Sequence, residues 1–291
     1  MGYALVTIII PFRNQGLLLR QACRSVQIQS EMNWRAILIN DASRLDSVAV
    51  AEDICKLDQR FRLIHVKDTD RCFPGPWRAR NLGLHFATTR LVAFLDADDL
   101  WHPKKLEKQL YLHQESENLI SVCNYYRFND SDLSIHEIRK PSSLINKRIL
   151  LSGNNIPLSS VIADRNILLA AGGFKPEKHE DYGLWLRLFL RKDIPQYVCV
   201  NQPLMAYRIH GQSISSARYR SIIAVNSLFK QHFPKRDKRS LLLFRWLLNR
   251  LLVYAHWKIW RLSNSKVKLP EPFLSLATEG DNESRYQGMT D

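Results

Sequence analysis

Four short runs of β-branched and other apolar residues recur along the first hundred positions: ALVTIII (4–10), AILI (36–39), FRLIHV (61–66) and LVAFL (91–95). The runs are continuous and do not alternate with polar residues, which is the pattern of strands buried on both faces of a parallel sheet. The stretches between them are long enough for helices and carry apolar residues at helical intervals. These are Leu18, Ala22, Val26 and Ile28, then Val48, Ala51, Ile54 and Leu57, then Leu82 and Phe86. Strand and helix in alternation predict a doubly wound α/β domain with a mostly parallel central sheet flanked by helices. In such a sheet a ligand sits beyond the carboxyl ends of the strands. The segments there are PFRN (11–14), NDAS (40–43), KDTDRCFPGPWRARN (67–81) and DADD (96–99), all polar.

Downstream, the spacing predicts a helix from Pro103 to about residue 116, a strand over 119–128 and a polar, irregular stretch over 129–157. A strand over 158–164 follows, then a helix ending at Gly172 and Gly173, a helix over 180–192 and a pair of strands within QYVCVNQPLMAYRIHGQS. Two further helices are expected at 217–232 and 240–262. The implied organisation is a domain over 1–215, with a nucleotide-binding half over 1–110 and an acceptor half over 111–215. A basic helical extension over 216–268 and a mobile tail over 269–291 complete it.

Composition narrows the class. With 45% apolar and 24% charged residues the chain is globular. Its five cysteines are scattered and never spaced as CxxC, which points to neither a disulfide framework nor a zinc site and suits a reducing compartment. The start, MGYALVTIIIPFRN, has no basic leader region, and Pro11 and Arg13 break its apolar run, so the chain is expected to enter its fold directly. The charge of +14 is concentrated. Residues 202–268 hold 14 Lys and Arg against the single acid Asp237, a net +13.

Several groups can carry chemistry. In extended chain, residues two apart point the same way, so Asp96 and Asp98 can converge on one hard cation such as Mg2+ or Mn2+. The same acids can also cap the following helix, and Asp99 suits that role. FPGPWRARNLG offers Gly75, Arg78, Arg80 and a helix start to a diphosphate, or a turn with a solvated arginine face. Asp41 can accept hydrogen bonds from a base or sugar, or cap a helix. Glu180 and Asp181 can supply a general base or cap their own helix. His210 is a third candidate metal ligand or a surface histidine.

In order and spacing, VTIIIPFRN, SVQIQ, AILINDAS, GPWRARNLGLHFA, LVAFLDADDLWHPKKLEKQL, GGFKPEKHEDYGLWLRL and YRIHGQSIS resemble the family 2 glycosyltransferases of the GT-A (Rossmann-like) fold. The resemblance covers about residues 4–215 and is densest in the first 110. It implies that Asp41 contacts uracil and that Arg80 faces the diphosphate. It implies that Asp96 and Asp98 hold a divalent cation, Mn2+ or Mg2+, joined by His210, and that Asp181, beside Glu180, is the catalytic base. Pro11, Arg13, Asn14 and Ala97 fall with Asp41, Arg80 and Asp96 on the nucleotide-sugar side, and Trp185 falls on the acceptor side. Where members often carry Tyr, this chain has Arg13, whose guanidinium can also lie flat on a base. Asn40 and Ala42 replace a usual Asp and Gly.

Within LLLFRWLLNRLLVYAHWKIWRL (241–262), Leu248, Leu251, Leu252, Ala255, Ile259 and Leu262 fall on one helical stripe. Arg245, Asn249 and His256 border it; Arg250, Lys258 and Arg261 lie roughly opposite. The segment is too charged to span a bilayer. It suits an anionic membrane surface, or a stripe packed back onto the catalytic domain with its cations solvated. No nucleic-acid module accompanies the charge, so nucleic acid is not expected as a partner.

The expected activity is therefore an inverting, metal-dependent transfer from a nucleotide-sugar, a UDP-sugar, to a saccharide or lipid-linked acceptor in cell-surface polysaccharide or lipopolysaccharide synthesis. The expected location is cytoplasmic, peripheral at the inner face of the cytoplasmic membrane. The competing expectations are a nucleotidyltransferase, and a non-catalytic partner that binds sugar nucleotides or membrane in an assembly complex.

Overall fold

The computed structural model describes residues 5–66, 75–117, 119–191, 193–210, 218–264 and 267–279. Its first half follows the alternation of the sequence: β1 (Val6–Phe12), α1 (Gly16–Gln27), β2 (Trp34–Asn40), α2 (Leu45–Leu57), β3 (Phe61–His65), α3 (Trp77–Phe86) and β4 (Leu91–Phe94). These four strands are parallel, in the order β3-β2-β1-β4, with Ile9 opposite both Ile37 and Phe94. Period-two geometry sorts the β1 side chains between two cores. Ile8 and Ile10 join Leu19, Ala22, Ala51 and Ile54 on one face, while Ile9 joins Ile39, Phe94 and Leu84 on the other.

Gly83 lets α3 lie close against the second face. A Cβ there would fall inside the contact distance of Ile9 Cγ2 and would meet Ile39 Cδ1 at 3.0 Å. One turn earlier on the same helix is Arg80.

The second half extends the sheet with β5 (Leu100–Trp101), β6 (Leu119–Asn129), β7 (Ile135–Arg139), β8 (Ile162–Asp164) and β9 (Gln196–Ile209). The full order is β3-β2-β1-β4-β8-β6-β9-β5, with β7 on β6; β8 is antiparallel to β4 and β6, and β9 is parallel to β6. The sheet is mostly parallel and flanked by helices, as the sequence predicts. The helices here are α4 (Lys105–Leu112), α5 (Lys147–Leu150), α6 (Arg165–Ala170), α7 (Glu180–Phe189), α8 (Arg218–His232), α9 (Arg236–Asn264) and α10 (Phe273–Thr278).

Four expectations are corrected. The strand pair within QYVCVNQPLMAYRIHGQS is one strand, β9. Its register against β6 shifts around Asn124, which faces Pro203, so the proline marks a bulge and not a turn. The irregular stretch 129–157 contains β7 and α5. Residues 158–160 form a 3-10 turn, and the strand starts at Ile162. The expected mobile tail folds back over 269–279: Leu269, Phe273, Leu276 and Ala277 are buried against Leu100 and Phe128. Gln21 Nε2 donates to the carbonyls of Ala277 and Glu279 at 3.0 and 2.8 Å. Apolar spacing over 273–277 was the available signal; its low density beside charged residues obscured it. Residues 280–291 lie outside the described residues.

Candidate active site

The carboxyl ends of β1, β2, β4 and β9 deliver the polar segments to one edge of the sheet. Three of the four non-glycine residues with positive φ among the described residues lie there: Asn14 (56°), Ala42 (54°) and His179 (61°). Such backbone is tolerated only where surrounding contacts hold it, and it gathers at functional loops. Asn14 Oδ1 accepts from Arg44 N at 2.8 Å, and Asn14 N donates to Ser43 Oγ at 3.2 Å, tying the loop after β1 to the loop after β2. Asn40 Oδ1 accepts from Ser43 N at 2.8 Å. Asp41, half-buried on that loop, does not cap α2, whose first residue follows Arg44 with no side-chain cap. Arg13 is exposed beside it, while Pro11 and Ala97 are buried and offer no side chain to a ligand.

Arg80 lies at the centre. Its guanidinium is buried, with Nη1 2.5 Å from Glu180 Oε1 and Nη2 2.6 Å from Asp96 Oδ1. Burial works against its charge, and Asp96 and Glu180 more than offset this, so the group stays cationic. Burial pushes Glu180 up to about 7 despite the arginine. Burial likewise raises Asp96; Arg80 opposes that shift, and Asp98 and Asp181 add to it. One cation thus links the strand-end acids to the acid pair at the start of α7. Arg78 sits on α3 two residues earlier, its guanidinium 5.1 Å from the Trp77 ring centroid. The preceding segment, 67–74, lies outside the described residues.

Asp98 Oδ2 lies 2.9 Å from His210 Nε2, and this contact raises the imidazole pKa. Asp99 is not the helix cap expected of it. It is buried, its Oδ1 accepts from Arg208 N at 3.2 Å, and α4 begins after Lys104 with no side-chain cap. Among the described residues no three of His, Cys, Asp and Glu gather about one point.

The acids of α7 do not cap their helix either. The residue before them, His179, makes no side-chain cap, Glu180 is taken by Arg80, and Asp181 Oδ2 accepts from Asn154 Nδ2 at 2.7 Å. Trp185 is a correction. It is fully buried and donates from Nε1 to Ile156 O at 3.0 Å, so it supports the wall behind the acid pair and offers no surface to an acceptor.

Three residues escaped the sequence reading. Arg208 is buried and donates to Asp98 O at 2.9 Å, to Gln21 Oε1 at 2.7 Å and to Asp130 Oδ1 at 2.5 Å, clamping the DADD turn. Ser159 Oγ accepts from Asp96 N at 3.1 Å. Asn154 holds Asp181. Arg208 was legible as the same-face neighbour, two residues along the strand, of His210; Asn154 and Ser159 sit in a stretch without periodicity.

The arrangement therefore sets one guanidinium, Arg80, among four carboxylates, Asp96, Asp98, Glu180 and Asp181, at the strand-end edge. Residues 7–167, more than half the chain, match the model of glycosyl transferase family 2. The chain is a family 2 glycosyltransferase. An uncharacterized glycosyltransferase of Haemophilus influenzae is 31% identical over 233 residues, 79% of this chain and 90% of the relative. The Escherichia coli UDP-Glc:alpha-D-GlcNAc-diphosphoundecaprenol beta-1,3-glucosyltransferase WfaP is 30% identical over 251 residues, 86% of this chain and 96% of the relative. Among solved structures, the mannosyltransferase PcManGT of Pyrobaculum calidifontis, in complex with GDP-Man and Mn2+, superposes with a TM-score of 0.61 at 15% identity. It covers 99% of this chain and 82% of that one. The fold of this glycosyltransferase is GT-A, and family membership sets aside the nucleotidyltransferase and non-catalytic readings.

Proposed function

We propose that this glycosyltransferase moves a hexosyl or N-acetylhexosaminyl group from a UDP-sugar to a saccharide or lipid-linked acceptor, with inversion, in the assembly of a cell-surface polysaccharide. The observation that carries the reading is the double ion pair of Arg80, which joins Asp96 at the end of β4 to Glu180 at the start of α7 and so sets the strand-end acids beside the acid pair. A departing nucleoside diphosphate needs positive charge, which Arg80 would share once an acid released it. The name of the WfaP relative supports a UDP-sugar donor and a diphosphate-linked lipid acceptor.

In the proposed reaction the acceptor hydroxyl attacks the anomeric carbon from the Asp181 side and Asp181 takes its proton. The bond from that carbon to the diphosphate oxygen breaks, and the nucleoside diphosphate leaves with the electron pair. A single displacement inverts the anomeric centre and needs no covalent intermediate. Arg80 neutralises charge on the leaving group, and the loops of Asn14, Asp41 and Arg13 take the nucleoside.

Asp98 Oδ2 and His210 Nε2 lie 2.9 Å apart, while the Asp96 carboxylate is turned to Arg80 and the three do not gather about one point; as a donor set, two carboxylates and an imidazole would suit Mn2+ or Mg2+. These residues would hold the cation, which would supply charge neutralisation for the diphosphate. In this reading the protein works at the inner face of the cytoplasmic membrane, with residues 241–262 as the membrane-side element. Among the described residues no helix is long and apolar enough to cross a membrane.

The test is UDP-sugar turnover with Mn2+ present. Asp98→Ala should abolish it, and turnover indifferent to that change would remove the metal assignment. Asp181→Asn should keep donor binding and lose transfer; retained transfer would move the base elsewhere.

A further inference from the structure

Helix α9 buries one side and leaves another open. Leu242 and Trp246 are buried in the core beneath it, and Asn249 Nδ2 donates to Ser152 O at 3.0 Å. Leu241, Phe244, Leu247, Leu248, Leu251 and Leu252 are exposed, Leu251 to 65% and Phe244 to 63%. At 100° per residue these six span an arc of about 140°. The leucine stripe of the sequence is therefore not the side that packs onto the catalytic domain.

Arg245 and Lys238 border one edge of that arc, Arg236 borders the other, and Arg250 lies about 60° beyond it. The helix carries seven Lys and Arg against Asp237 alone. An apolar face with cations along both margins is complementary to lipid chains beneath anionic headgroups. It is poorly complementary to a second copy of itself, since two such faces would set cation rows against each other.

The buried side of α9 adjoins the site. Ser152, bonded to Asn249, lies two residues from Asn154, which holds Asp181. The Arg250 charge also reaches His179, the residue before the acid pair.

We infer that the exposed face of α9 seats on an anionic bilayer and holds the Asp181 end of the site about one helix diameter, roughly 10 Å, above it. This rests on the proposed transfer to a lipid-linked acceptor and adds the surface and the orientation.

The test uses the full chain with phosphatidylcholine vesicles, with and without phosphatidylglycerol. Wild type should sediment with the phosphatidylglycerol vesicles, weakly with phosphatidylcholine alone, and less at high salt. Leu248→Glu/Leu251→Glu/Leu252→Glu should lose at least about tenfold in vesicle affinity while keeping its melting temperature and its acceptor-free UDP-sugar hydrolysis. Lys238→Gln/Arg245→Gln should weaken only the phosphatidylglycerol component. Vesicle binding unchanged by the leucine substitutions would overturn the inference. So would a wild-type dimer, measured by light scattering, that binds no vesicles and becomes monomeric in the triple variant. Absence of hydrolysis in wild type would instead count against the proposed donor chemistry, leaving the vesicle result to stand by itself.

Discussion

Asn154 Nδ2 lies 2.7 Å from Asp181 Oδ2, while Asn154 Oδ1 faces Ile156 N at 3.3 Å. The amide's orientation is thus fixed by its own loop, and only its donor end meets the carboxylate. One carboxylate oxygen is held, and the other is left for an acceptor proton. Asn154→Ala should lower kcat by about tenfold, the worth of one hydrogen bond to a charged group, with donor affinity unchanged. Steady-state kinetics with separate donor and acceptor titrations would check it; a change confined to donor KM would contradict the role.

Arg80 should be costly to remove. Arg80→Met leaves Asp96 and Glu180 without their cation in a buried setting, a loss of about 3–5 kcal/mol. Adding Glu180→Gln should restore part of that stability and none of the activity, because neutrality removes the stranded charge without returning the diphosphate contact. Denaturant unfolding and turnover assays on both variants separate the two effects.

His113 gives the fold an acid sensitivity. It is buried, with Nε2 2.9 Å from Ser121 Oγ, and burial first, then Arg90, holds its pKa down to about 4. The unfolded imidazole titrates near 6.5, about where it does in water. Between those values the unfolded chain binds the extra proton, so stability is full above about pH 6.5 and falls as pH drops toward 4. The contribution is on the order of 3 kcal/mol. His113→Asn should flatten this part of a pH–stability profile measured by urea unfolding.

Lys105 acts in the opposite pH range. Its buried Nζ has no hydrogen-bond partner and lies 4.1 Å from the Trp101 ring centroid; burial lowers its pKa to about 8. Below pH 8 the folded protein bears the whole cost of that charge. Stability should rise with pH between about 8 and 10.5, where the unfolded lysine alone stays protonated. Lys105→Met should stabilise the protein at pH 7 by about 1–3 kcal/mol, and the advantage should shrink above pH 8. Equal melting temperatures for the two proteins at pH 7 would refute this.

The legible parts of the molecule were those with a period. The buried runs of β1 to β4 and the helical spacers between them carry their pattern in the chain itself, and the site acids follow because strand ends were known once strands were. What the sequence could not place were contacts closed by packing. Asp99 went to Arg208 and not to a helix start, because β9 brings the backbone N–H of Arg208 to it across 109 residues. Trp185 was placed on the acceptor side by the family resemblance, yet its indole is buried and donates to the Ile156 carbonyl. For the C-terminal helix the sequence left open which stripe faces inward. Leu242 and Trp246 could not be preferred to Leu248 and Leu251 before the neighbouring surface was known.

Gly83 has a reach beyond its own position. Because α3 rests on Ile9 and Ile39 with no methyl group between, the depth of that helix sets how far the Arg80 guanidinium extends toward Asp96. The calibration of the charge centre is thus held by a residue that touches none of the charges. A single added carbon one turn along the helix would detune the enzyme while every ionisable group stayed in its sequence place.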